Sequence, residues 1–206
     1  MQLRAAPSAD IPWETLHRAG VATLIVPSFR DDVQNGGLFF RNGVVAPLRR
    51  EIEASVASRR GPVALWGWLI GRKYSWLGRS SLADRQRDDG RLSPSSKLDL
   101  FQQGAVDLMV GLFRDLARTG VDGILIQDDL VMRAGEGLSA GGGAVLARRS
   151  GLPVSAQDLV RADHPLLGLW TQLKCERVAD VVRQIVAAVH RESPRLQVGV
   201  NVYYEV

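Results

Sequence analysis

The chain has 206 residues, of which 46% are hydrophobic and 23% charged, enough apolar material for one sizeable core and a single domain over residues 1–206. Its 26 Lys and Arg against 22 Asp and Glu leave a net charge of +4, but the densest basic pairs, Arg49-Arg50, Arg59-Arg60 and Arg148-Arg149, lie far apart, which disfavours a nucleic-acid face. A single cysteine excludes an internal disulfide, and no apolar run reaches the length needed to span a bilayer.

Residues 1–10 lack the apolar core of a signal peptide. A short helix is expected over 12–19, stopped by Gly20 and followed by the apolar run 21–26, the pattern of a strand buried on both faces. A helix over 45–58 closes with Arg59-Arg60-Gly61, a basic last turn and a glycine cap. The strand over 62–70 holds Trp66 and Trp68 at period two, so both rings are expected on one side. Polar, glycine-rich residues 71–96 are expected to form a long functional loop. A helix over 98–119, capped by Gly120, leads to the apolar strand 123–126, which runs into Gln127-Asp128-Asp129. In the excursion over 130–164, Gly141-Gly142-Gly143 reads as a flexible loop before a short helix at 144–150, because no strand precedes it as a phosphate-binding fingerprint requires. A helix over 167–191, in which Cys175 reads as a small buried residue, feeds a last strand over 197–204.

Alternating strands and helices predict an α/β fold with a parallel sheet, in which ligands gather at the carboxyl ends of the strands. Those ends carry Trp68 to Trp76, Asp128 and Asp129, and Tyr203 to Glu205. Flat rings stack on sugars and carboxylates move protons or bond hydroxyls, so the set fits carbohydrate better than phosphate or dinucleotide. Two adjacent carboxylates repel, and burial would favour a proton on one of them, the property of a general acid. The alternative is an Asx turn opening a loop. Trp66, Trp68 and Trp76 are expected to line a sugar groove, with Asn201 and Tyr203 as contacts and Glu205 as a second acid. His17, His164 and His190 have no ligand spacing, so no metal and no cofactor is implied. Nothing in the sequence fixes an oligomeric state.

The stretch Val121-Asp122-Gly123-Ile124-Leu125-Ile126-Gln127-Asp128-Asp129 resembles a strand of the glycoside-hydrolase-like C-terminal domain of the PgaB family, which processes poly-β-1,6-N-acetylglucosamine for biofilm export. Arg91-Leu92-Ser93-Pro94 and Asp115-Leu116-Ala117 before it, and Trp170, Lys174 and Asn201-Val202-Tyr203 after it, follow in the same order. The resemblance implies a (β/α) TIM-type barrel, partial or shortened because about 250 residues are typical. It also implies Asp128 and Asp129 as the acidic pair, Arg91 as a substrate contact, a partially deacetylated amino-sugar polysaccharide as substrate, and a periplasmic or cell-envelope location. The family has His before the pair where this chain has Gln127, and a catalytic Glu on a later strand, past Val206. The deacetylase motif is absent, so deacetylation is not expected. An endo-acting glycoside hydrolase is the leading expectation; a non-catalytic carbohydrate-binding barrel is the alternative.

Overall fold

A computed structural model describes residues 1–29, 40–41, 44–45, 47–74, 81–88, 91–154, 159 and 164–202. Along the chain run β1 (Gln2–Arg4), α1 (Trp13–Arg18), β2 (Thr23–Pro27), β3 (Phe40–Arg41), β4 (Val44–Val45), α2 (Pro47–Ser58) and β5 (Ala64–Leu69). Then follow β6 (Ala83–Asp88), β7 (Arg91–Leu98), α3 (Gln103–Ala117), β8 (Gly123–Ile126), α4 (Ala140–Ser150), α5 (Leu167–Glu192) and β9 (Gln197–Val200). Two compact units divide these residues, one formed by 1–71, 110–129 and 185–206, the other by 72–109 and 130–184.

The first unit holds a five-stranded sheet in the order β1-β2-β5-β8-β9. Every pairing is parallel and each new strand joins beside the previous one, the strand order of a (β/α) barrel. Alternation along β5 explains how it is seated: Leu65, Gly67 and Leu69 are buried while Trp66 and Trp68 are half-buried on the opposite face. A Cβ on Gly67 would stand 2.8 Å from Ser28 Oγ and 2.9 Å from Leu116 of α3, so only glycine lets the helix approach the strand this closely. Gly61 and Gly120, with φ of 77° and 86°, follow α2 and α3 in the left-handed conformation that their positions in the sequence anticipate. At the amino end of the sheet Asp122 accepts the Leu65 N–H (2.8 Å) and pairs with Arg59, fixing the start of β8 against β5.

In the second unit, part of the range expected to be a loop is strand: β6 and β7 pair antiparallel. Its sequence hides this because Ala83–Asp88 has no apolar alternation. Charge replaces apolar packing. Arg72 is completely buried and donates to Leu98 O (3.1 Å), to Asp84 (2.8 Å) and to Glu136 (2.9 Å), and Lys97 also pairs with Glu136. Backbone N–H groups of Arg85 (2.7 Å) and Gly137 (2.9 Å) saturate the Asp84 carboxylate.

Burial pushes the Asp84 carboxyl from 3.8 up to about 6, against the pull of Arg72. Burial acts the same way on Glu136, but Lys97 and Arg72 outweigh it and hold that carboxyl low. The folded chain therefore binds the Asp84 proton more tightly than the unfolded chain. That contribution to stability is complete below 3.8 and is lost as pH climbs to about 6. Comparison with Asp84→Asn isolates it: the wild type is expected to lose stability relative to the variant as pH rises from about 4 to about 6. Urea midpoints of both proteins across that range check the sign.

The apolar core of this unit gathers Leu138, Leu146, Leu159, Trp170 and Leu173, with Phe101 stacked on Trp170 at 5.2 Å. The glycine triplet belongs to α4 rather than to a flexible loop: Ser139 caps the helix by accepting the Gly142 N–H (3.1 Å). Gly142 is buried against Gly137 O and the Trp170 and Phe101 rings, so a Cβ there would overlap the carbonyl. Gly142→Ala is expected to lower stability by about 1–3 kcal/mol, the range for overpacking, readable as a fall in the urea midpoint. Cys175 is exposed rather than buried, since one helical step turns it away from the core-facing Leu173 and Lys174.

Candidate functional site

At the carboxyl end of the sheet the ladders run one residue past the strands. Gln127 N–H donates to Leu69 O (3.1 Å) and Asn201 N–H to Ile126 O (2.9 Å). Parity then puts the Gln127 and Asn201 side chains on the face of Leu125 and Gly199, which is also the face of Trp68, paired with Leu125. Asp128 and Asp129 form the turn that follows. They lie past the strand, as the expected span 123–126 implies, because β8 stops at Ile126.

The turn separates the two acids. Asp129 Oδ1 accepts the Gly71 N–H at 2.8 Å, which ties the end of β5 to the end of β8. Asp128 is half-buried and, among the described residues, its side chain has no hydrogen bond or ion pair. One carboxylate is therefore held and oriented, while its neighbour keeps its bonding capacity for something else.

Trp68 faces Phe29 edge-on, with ring centroids 5.5 Å apart and an interplanar angle of 85°. The Arg4 guanidinium lies 4.6 Å from its ring centroid, a cation–π contact. Trp66, although on the same face, occupies a different level. Its ring covers Gly123, where a Cβ would collide with it, and presses on Gly199, where a Cβ would stand 3.2 Å away. It also lines a cavity of about 550 Å³ with Arg59, Asp122 and Arg195, at the amino end of the strands. Gly123, its register partner, is three residues before Ile126, about 10 Å at a strand's rise per residue. Trp66 therefore sits at the level of the start of β8, and Trp68 at the level nearer the acidic turn.

Arg91 opens β7 and is exposed, in the second unit. Trp76, Tyr203 and Glu205 lie outside the described residues. A larger depression of about 750 Å³ is lined by Arg85, Leu92, Ser139 and Ala144 of the second unit.

Residues 16–206 match the model of a family described as hypothetical glycosyl hydrolase family 13 (GHL13). The chain belongs to this family. Its fold resembles the glycoside hydrolase domain of PgaB (BpsB) from Bordetella bronchiseptica, at 19% identity and a TM-score of 0.62 over 98% of this chain. The chain spans 64% of that structure's length. It also resembles a hypothetical protein from Ruminiclostridium thermocellum ATCC 27405, at 14% identity and a TM-score of 0.57, over 97% of this chain and 96% of that one. At these identities the likeness is one of fold. No curated protein matches the chain by sequence.

In this glycosyl-hydrolase-like chain the structure adds Arg4 and Gln127, which sequence reasoning did not place at the site, to the expected Trp68. Arg4 comes from β1, too short and polar to announce itself as a strand. Trp68 Nε1 and Gln127 Oε1 are buried and have no hydrogen-bond partner among the described residues. The period-two placement of Trp68 and the polar residue closing an apolar strand were the available signals. Among the described residues there is no group of three or more His, Cys, Asp or Glu able to hold a metal, and no helix long and apolar enough to cross a membrane.

Proposed function

We propose that this chain is a glycoside hydrolase acting inside an amino-sugar polysaccharide of the cell envelope, such as partially deacetylated poly-β-1,6-N-acetylglucosamine. Asp128 is the general acid: it delivers a proton to the glycosidic oxygen as the bond to the sugar carbon breaks. Asp129, held by Gly71, faces the positive charge that grows on the sugar ring or orients its 2-substituent. Trp68 and Asn201 flank the turn as saccharide contacts. The observation supporting this division of labour is the 2.8 Å bond from Gly71 N–H to Asp129, which commits one acid of the pair and not the other. Family membership supports the reaction class.

The test is product analysis. Polymer incubated with the wild type is expected to yield shortened oligosaccharides by mass spectrometry, and Asp128→Asn none. A wild type that binds the polymer but releases nothing would be a carbohydrate-binding module, and the enzymatic proposal would fall.

A further inference from the structure

Trp68 Nε1 is a donor and nothing else; Gln127 Oε1 is an acceptor. Both are shielded from solvent and neither has a hydrogen-bond partner among the described residues. They project from adjacent strands on one face, with Gln127 two residues beyond Leu125, the register partner of Trp68. Strand separation and rise put diagonal neighbours of this kind about 8 Å apart at the backbone, within reach of long side chains. A buried polar atom left unsatisfied destabilises the folded chain, so two such atoms on one face of adjacent strands, at the end where the acidic turn lies, need an explanation.

We infer that Trp68 Nε1 and Gln127 Oε1 together form a specificity subsite for one neutral substituent of the sugar that both accepts and donates a hydrogen bond, a hydroxyl or an acetamide. This inference rests on the saccharide reading of the site. The Trp68 N–H donates to the oxygen of the substituent, and the substituent donates its own proton to Gln127 Oε1. An ammonium, as on a free glucosamine, only donates and leaves the Trp68 N–H unmet. A carboxylate only accepts and leaves Gln127 unmet. A site built on buried polar groups rejects a ligand that leaves them unpaired far more strongly than an apolar pocket rejects an extra atom. The subsite therefore selects uncharged sugar units at this position.

Trp68→Phe keeps the ring and removes the donor; Gln127→Leu keeps the bulk and removes the acceptor. Placed in an Asp128→Asn background to stop turnover, each is titrated calorimetrically with β-1,6-linked glucosamine pentasaccharides, N-acetylated and free-amine, and with a β-1,6-linked glucose pentasaccharide. The parent variant is expected to bind the acetylated or the glucose form about tenfold more tightly than the free amine. Whichever of the two neutral forms binds more tightly identifies the substituent as acetamide or hydroxyl. Each substitution weakens that form about tenfold, and the double variant binds no more weakly than either single one, because both atoms grip one group. Each single variant also melts about 2–4 °C higher without ligand, since an unsatisfied polar atom has been removed. Additive losses, unchanged affinity or lower melting temperatures, with oligosaccharide still bound, overturn this inference alone. If none of the pentasaccharides binds the parent variant, both the saccharide reading and the subsite are overturned.

Discussion

Asp128→Asn is expected to slow oligosaccharide release by about 10²–10⁴-fold, the contribution of a positioned general acid, with KM changed only a few-fold. Asparagine preserves the shape of the side chain, and among the described residues Asp128 holds no partner whose loss would unfold the turn. The fall should therefore appear in kcat and not in the melting temperature. Asp129 behaves differently. Its Oδ1 accepts the Gly71 N–H, a bond an asparagine oxygen can still accept, so Asp129→Asn removes charge and keeps that bond. A loss of about 10²–10³ is expected if that charge stabilises the developing sugar cation. Asp129→Ala, which also frees the end of β5, should cost more, with KM rising as well. Initial rates by reducing-end assay on the polymer give all three values.

The largest effect on stability is expected from Arg72→Met. Arg72 is completely buried, its guanidinium meets Asp84 at 2.8 Å and Glu136 at 2.9 Å, and both carboxylates are themselves nearly inaccessible. Taking the cation away leaves two buried acids whose desolvation is no longer offset, a loss of about 3–5 kcal/mol. Lys97 still pairs with Glu136, so Asp84 bears most of the penalty, and Arg72→Met combined with Asp84→Asn should recover part of it. By contrast, removing Arg118 from its pair with Glu192 (2.7 Å), where the arginine side chain is 46% exposed, should leave the urea midpoint almost unchanged. Urea denaturation at neutral pH compares the variants directly.

Much of the sheet was legible in the sequence because β2, β5 and β8 are short, apolar and closed by turn chemistry. Gly123–Ile126 matches its expected span residue for residue, between an Asp-Gly start and a polar end. Helix stops at Gly61 and Gly120 were readable because a left-handed residue there favours glycine. What escaped depended on partners distant in the chain. The β6–β7 pairing is held by Arg72, Asp84 and Glu136, charges that look solvated until Glu136 is brought back from 64 positions away. The glycine triplet misled because Gly142 answers to a tertiary contact, the Gly137 carbonyl, and not to a local turn. For the candidate site, type and place of the acidic pair were legible. The difference between the two acids was not, since it involves the Gly71 N–H, 58 positions away in the sequence. Trp66 and Trp68 show a related limit: period two fixes a side but not a level along the strand.

The most direct measurement is a crystal structure of the full chain carrying Asp128→Asn with a β-1,6-linked N-acetylglucosamine oligosaccharide bound. The expected result is a glycosidic oxygen within hydrogen-bond distance of residue 128, with the sugar against the Trp68 and Gln127 face. An oligosaccharide seated elsewhere, with the turn after β8 untouched, would contradict the account.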